Sequence, residues 1–192
     1  DERVDGQQQH LHLTYTHKQE SWVHHAALTQ SKNSTNYAVN RTAASGLRGQ
    51  RRLLDLQTTR QINTSKARQS INLGLQSEQR NFENIYAGLT AANYTADDSQ
   101  NGLFAEYLVD YARTSLALSV RRDWNQRFAN ATTTRGSISH VLLGAPASQS
   151  RLHLSFGQGI TNPSFFELFG FIPTSFIGNP SLQPEQSTSY DL

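Results

Sequence analysis

Residues 114–124 read Thr-Ser-Leu-Ala-Leu-Ser-Val-Arg-Arg-Asp-Trp, and their side chains alternate in character. Leu116, Leu118, Val120 and Trp124 fall on one side of an extended chain, and Ser115, Ala117, Ser119, Arg121 and Asp123 on the other. A period of two belongs to a β-strand with one apolar face, whereas a helix would need apolar residues three and four apart. Three more stretches repeat the pattern. Leu11, Leu13 and Tyr15 oppose His10, His12, Thr14 and Thr16 in 8–17; Ile71, Leu73 and Leu75 oppose Asn72, Gly74 and Gln76 in 69–77; Leu152, Leu154 and Phe156 oppose Arg151, His153, Ser155, Gly157 and Gly159 in 151–160. Weaker alternation predicts strands over 20–30, 47–59, 102–111 and 133–143, and a ninth opening near 187. No sustained helical apolar stripe occurs, and these runs are rich in Thr, Ser, Asn, Gly and aromatic residues. The expected fold is therefore nearly all-β.

The connections between these strands carry a second signal. In order they are short at 17–20, long at 31–46, short at 60–66, long at 80–101, short at 112–113, medium at 125–132, short at 144–150 and long at 161–186. Alternating short and long connections mark an antiparallel up-and-down barrel in an outer membrane, with tight turns on one rim and longer loops on the other. A soluble β-sandwich scatters its long connections over both ends. In the barrel reading the apolar side of each strand faces lipid, while Arg121, Asp123, Arg151, His153, Asn72 and Gln76 point to a wet interior. Trp22, Trp124, Tyr15 and Tyr111 lie near strand ends, where an aromatic girdle belongs.

Composition narrows the field further. The 192 residues carry 17 Lys+Arg against 15 Asp+Glu, a balance that argues against a nucleic-acid partner. The absence of Cys removes thiolate metal sites and cysteine nucleophiles. No run approaches the roughly 18 apolar residues of a membrane helix. The chain has no Met and opens on Asp-Glu-Arg-Val-Asp, without an apolar signal core, so it reads as an excised or processed segment. No nucleophile elbow, phosphate loop or dinucleotide-binding glycine pattern is present, and neither catalysis nor a cofactor is expected. His10 and His12 share a strand face and His24–His25 lie on the next strand, but no acidic residue stands beside them at ligand spacing, and no metal is expected there. Arg48, Arg51, Arg52 and Arg60 read as rim or lumen charge, with lipopolysaccharide as one contact.

The most specific stretch is 151–192. Leu152, Ser155, Phe156, Gly159, Asn162, Pro163, Ser164, Glu167, Leu168 and Phe169 lead into a loop that closes with Gly178, Asn179, Pro180, Leu182, Pro184, Glu185, Ser187 and Tyr190. This paired motif resembles the TonB-dependent outer-membrane receptors, in which a strand of this type runs into an external loop ending in Gly-Asn-Pro and Pro-Glu. Phe169 stands where Tyr is commoner, and Gln183 where Lys is. Residues 115–125 and 70–79 resemble two earlier strands of that family more loosely. The resemblance implies a 22-stranded barrel around an N-terminal plug, of which residues 1–192 would be an eight- or nine-stranded section of the barrel domain, without plug or C-terminal strands. It also implies active import of a scarce nutrient, such as a ferric siderophore, another metal chelate or cobalamin. The partners would be TonB, reached through the plug, and outer-membrane lipid and lipopolysaccharide. Localisation would be the bacterial outer membrane.

The turn chemistry of the motif is readable without the family. Asn-Pro and Gly-Asn-Pro form turns, Gly178 permits a positive φ, and Pro180 and Pro184 lack the N–H needed for sheet pairing. Phe165, Phe166, Phe169, Phe171 and Phe176 are too many for a merely solvated turn; they either pack on one another and the rim or face a ligand. Residues 86–101, with Tyr86, Tyr94, Asp97 and Asp98, have the makeup of a mobile binding loop. Two other readings stay open: a complete eight-stranded outer-membrane barrel serving as adhesin or structural protein, and a soluble β-sandwich acting as a binding module or glycan-active enzyme.

Overall fold

The computed structural model describes residues 2–40, 42–145, 148–172 and 174–192. Eight long strands follow one another, β1 (Glu2–Gln19), β2 (Trp22–Val39), β3 (Thr42–Asn63), β4 (Ala67–Tyr86), β5 (Tyr94–Tyr111), β6 (Thr114–Asn125), β7 (Ala131–Ala145) and β8 (Ser148–Thr161). A five-residue helix α1 (Phe165–Phe169) and a small hairpin of β9 (Phe171–Ile172) and β10 (Phe176–Ile177) come next, before β11 (Glu185–Asp191). The sheet order is β1-β2-β3-β4-β5-β6-β7-β8-β11, and every neighbouring pair is antiparallel. Every connection thus joins adjacent strands, as in an up-and-down barrel wall. The expected strands all form, with β11 as the ninth.

Register fixes the two faces. Leu13, Leu28 and Leu54 align across β1, β2 and β3, and Leu56, Leu75 and Leu103 across β3, β4 and β5. These residues remain open to the surroundings, Leu13 at 55% and Leu75 at 54%. The opposite face holds the polar groups: Asp55, Gln76, Gly102 and Asp123 align across β3 to β6. Asp55, Asp98 and Asp123 are enclosed on this face, Asp123 only 3% exposed. Apolar outside and polar inside inverts the order of a soluble sheet and is the order of a membrane barrel wall. Trp22 opens β2 and Tyr111 closes β5 at one rim, and Trp124 stands near the other, all on the apolar face. Tyr15 lies deeper, aligned with Ala26 inside the apolar band.

The tight rim is as expected, with two-residue connections at 20–21 and 112–113 and three residues at 64–66. Glu20 and Ala112 take positive φ of 49° and 51°, the left-handed twist that suits a two-residue hairpin between right-twisted strands. The opposite rim departs from expectation. Residues 31–46 are mostly strand, since β2 runs to Val39 and β3 starts at Thr42, and 80–101 shrinks to a connection over 87–93 with a 3-10 turn at Thr90–Ala92. Polar residues on both faces imitate a loop in sequence, yet the backbone ladder continues beyond the lipid. The 20 residues of β4 extend about 65 Å at ~3.3 Å each. The hydrocarbon layer is only about 30 Å thick, so even a tilted strand stands well clear of it.

Leu73 sits mid-band on the apolar face, with Asn72 beside it on the polar one. Leu73→Arg should cost about 2–4 kcal/mol, and Asn72→Arg far less. Urea unfolding of the barrel in lipid or detergent measures both.

Candidate functional site

The connection over 162–184 folds inward across the polar face. Ser164 caps α1: its hydroxyl accepts from the Glu167 N–H at 3.2 Å, and its own N–H donates to the Glu167 carboxylate at 2.7 Å. This reciprocal capping box fixes a helix too short to persist unaided. Hydrogen bonding to Ser164, first from its backbone N–H and then from its side chain, holds the exposed Glu167 carboxyl below the usual range. Leu168 is the most enclosed side chain described, at 1% exposure.

The two halves of the sequence motif meet at this helix. The Asn179 N–H donates to the Glu167 carbonyl at 2.8 Å, and the Gly178 N–H to the Gly170 carbonyl at 2.8 Å. A Cβ on Gly178 would lie 2.6 Å from the Phe169 nitrogen and 2.7 Å from the Leu168 carbonyl carbon. Gly178 is therefore required by close backbone approach, and it does not take the positive φ that its turn context suggested; Gly144 is the described glycine that does, at 108°. Asn179 closes the turn, accepting from the Ser181 N–H at 3.0 Å through its side chain and from the Leu182 N–H at 3.2 Å through its carbonyl. Pro180 follows it, and Pro184 precedes Glu185, where pairing with Thr161 begins. Asn162 and Pro163 lead into the helix, the Asn162 amide reaching the Asn125 side chain at 3.3 Å.

α1 places its aromatic rings on the strands beneath. Phe165 stacks on Phe82 with centroids 5.8 Å apart, and Phe169 on Tyr94 at 4.2 Å. Phe171 meets Tyr86 edge-on at 5.7 Å, and Phe166 stacks on Phe176 at 4.9 Å. Two guanidinium groups complete the cluster: Arg127 lies 5.0 Å from the Phe169 ring centre and Arg80 5.6 Å from that of Phe165. Arg80 in turn pairs with Asp98. Phe82, Arg80 and Arg127 were not among the sequence-derived candidates. The Arg80–Phe82–Asn84–Tyr86 alternation on one face of β4 was the signal for Arg80 and Phe82, masked by its mixed polarity; Arg127, in the connection after β6, had no such signal.

Of the eight candidate ligand residues, seven converge here: Tyr86, Tyr94, Phe165, Phe166, Phe169, Phe171 and Phe176. Asp97 does not. Strand alternation sends its side chain to the face opposite Tyr94 and Asp98, and only its carbonyl takes part, accepting from Arg127 at 3.1 Å. Tyr94, Asp97 and Asp98 belong to β5 and not to a loop.

Below the cluster the polar face is knitted by ion pairs and amides. Arg121 pairs with Asp123 at 2.7 Å and donates to Gln76 at 2.7 Å, Gln100 donates to Asp123 at 3.0 Å, and Arg51 pairs with Glu78 at 2.7 Å. A Cβ at Gly102 would lie 2.3 Å from the Arg121 guanidinium, so the glycine makes room for that pair. The histidines scatter: His10 and His12 stack at 6.3 Å on the polar face, while adjacent His24 and His25 point to opposite faces and His24 stacks on Trp22. Among the described residues no group of His and acidic side chains converges as a metal site.

Sheet order, inverted polarity and the docked loop together define an outer-membrane β-barrel wall. The family model described as TonB dependent receptor-like, beta-barrel matches residues 1–192, and the chain belongs to that family, which resides in the outer membrane. Two solved structures have the same fold: one described as the RagAB peptide transporter, with TM-score 0.59, and one as the RagAB peptide importer in the closed-closed state, with TM-score 0.54. Each is 12% identical to this chain and matches 98% of it, and the chain spans 28% of the length of either. No curated protein sequence matches.

Gly178→Ala should undock the loop from α1 and leave the sheet intact. Limited proteolysis should then cleave within 162–184 several-fold faster, with the far-UV circular dichroism of the strands unchanged.

Proposed function

We propose that this sheet is wall and rim of a receptor that imports a scarce ligand across the outer membrane, with energy relayed by TonB, and that it carries out no catalysis. The observation behind this reading is the family's paired motif folded into an inward-facing aromatic cluster. Residues 1–192 act as part of the barrel domain, and the ligand enters on the long-loop side. Tyr86, Tyr94, Phe165, Phe166, Phe169, Phe171 and Phe176 form the aromatic wall that a ligand meets, with Arg80 and Arg127 at its edge. Ring faces beside guanidinium groups suit an anionic, partly aromatic ligand, which is the chemistry of a ferric siderophore or similar metal chelate. Cobalamin fits the same apolar wall less well, for want of negative charge.

A second reading, peptide import, is favoured by the fold likeness to the RagAB structures. Radiolabelled uptake into cells expressing the full-length receptor separates the two. Ferric-chelate uptake should require TonB and fall about tenfold in a Tyr94→Ala, Phe169→Ala double variant, in keeping with about 0.5–1.5 kcal/mol per aromatic pair. Uptake of oligopeptides without any ferric chelate would select the second reading, and uptake of both kinds of ligand independent of TonB would overturn the proposal.

A further inference from the structure

The short turns gather basic side chains. In the four segments around them, 16–24, 60–70, 108–115 and 140–151, the basic residues are Lys18, Arg60, Lys66, Arg68, Arg113 and Arg151, and the carboxylates are Glu20 and Asp110. The chain as a whole holds 17 Lys+Arg against 15 Asp+Glu, so eleven basic and thirteen acidic residues are left for everything else. The excess of positive charge belongs to one rim. Short turns close a barrel on its periplasmic side, and this rim therefore faces the periplasm.

Facing and partners separate these six. Arg60, opposite Trp22 on the lipid side, lies 5.2 Å from the centre of that ring. Arg68 meets Asp110 at 3.4 Å, and the other oxygen of Asp110 accepts from the Ser115 hydroxyl at 2.6 Å. Among the described residues Lys18, Lys66, Arg113 and Arg151 have no carboxylate within ion-pair distance, and all four are exposed. Lys66 and Arg113 lie in the turns themselves, while Lys18 shares the polar face with Thr16, and Arg151 shares it with His153. Each of the four hairpins thus carries one unpaired cation. The Arg113 carbonyl accepts from the Val141 N–H at 2.9 Å, and Val141 pairs with Arg151, so Arg113 and Arg151 stand at one level. Successive hairpins are two strands, about 10 Å, apart, and the rim from Lys18 on β1 to Arg151 on β8 spans roughly 34 Å.

We infer that Lys18, Lys66, Arg113 and Arg151 form a docking rim for peptidoglycan, the carboxylate-bearing polymer that lies beneath the outer membrane. Single charges about 10 Å apart along an arc fit an extended chain with acidic groups at intervals; a compact acidic surface would call for cations grouped together. Lys18 and Arg151 turn away from lipid, so headgroups of the inner leaflet are not their counterpart. An exposed ion pair is weak alone, but several on one polymer reinforce each other, because the first contact raises the effective concentration for the rest. The inference rests on the barrel's place in the outer membrane and not on which ligand is imported.

The test is co-sedimentation of the full-length receptor, in nonionic detergent, with purified peptidoglycan sacculi. The intact receptor should pellet with them at low salt and be released at about 1 M, where charges are screened within about 3 Å. Lys18→Gln, Lys66→Gln, Arg113→Gln and Arg151→Gln together should lower the bound fraction about tenfold, whereas Lys18→Arg, Lys66→Arg, Arg113→Lys and Arg151→Lys together should keep it. Arg60→Gln, on the lipid side, should leave it unchanged. Sacculi whose carboxyl groups have been converted to amides should not pellet the receptor. Heat-modifiable migration on gels confirms that each variant is a folded barrel. Failure of the intact receptor to pellet, equal pelleting of the fourfold glutamine variant, equal pelleting with amidated sacculi, or tighter binding to phosphatidylglycerol vesicles than to sacculi would each overturn the site.

Discussion

A backbone N–H or C=O left unpaired in hydrocarbon costs several kcal/mol, and the rest of this structure follows from that constraint. The strands satisfy it by pairing each with its sequence neighbour, from β1 through β8 to β11. Such a ladder leaves side chains only two directions. Lipid on one side and water on the other then decide what each position holds. The leucines aligned across β3 to β5 and the Asp55–Gln76–Asp123 row are two sides of one pleat. The same alternation separates Asp97 from Asp98 and His24 from His25, so neighbours in sequence serve different surroundings.

On the long-loop side the constraint relaxes and side chains take over. The connection over 162–184 could stand free in water, yet it lies against the strands because several short-range features agree. Ser164 and Glu167 hold one helical turn together, Gly178 allows a second backbone to approach it, and Phe165 and Phe169 supply apolar area for Phe82 and Tyr94. The motif that marks the family in sequence is, in physical terms, the pair of segments needed for this docking. The aromatic residues thereby pack on one another and on the strands beneath, on the polar face of the sheet.

Strand number, order and facing were legible because period-two alternation is strong wherever one side meets lipid, as at 69–77 and 114–124. Strand ends were not legible on the long-loop side. Residues 31–46 and 80–101 carry polar groups on both faces, and without an apolar side the alternation vanishes although the ladder persists. The helix was missed for the opposite reason. Five residues are too few to show a helical period, although Ser164 and Glu167, three apart, spell a capping box that a search for helix starts would have found. The convergence of Phe82 with Phe165 joins β4 to α1, far apart in the chain, and no local pattern announces it. The Gly178 approach is equally non-local.

The central claim is that one face of this sheet touches lipid and the other water. Because the chain contains no Cys, single cysteines can be placed cleanly at 71, 72, 73, 75 and 76 of the full-length receptor in bilayers and spin-labelled. Power-saturation paramagnetic resonance then compares collisions with dissolved oxygen and with a water-soluble nickel chelate. Labels at 71, 73 and 75 should favour oxygen and those at 72 and 76 the chelate, alternating residue by residue. Access of the chelate to every position would contradict the membrane-wall account.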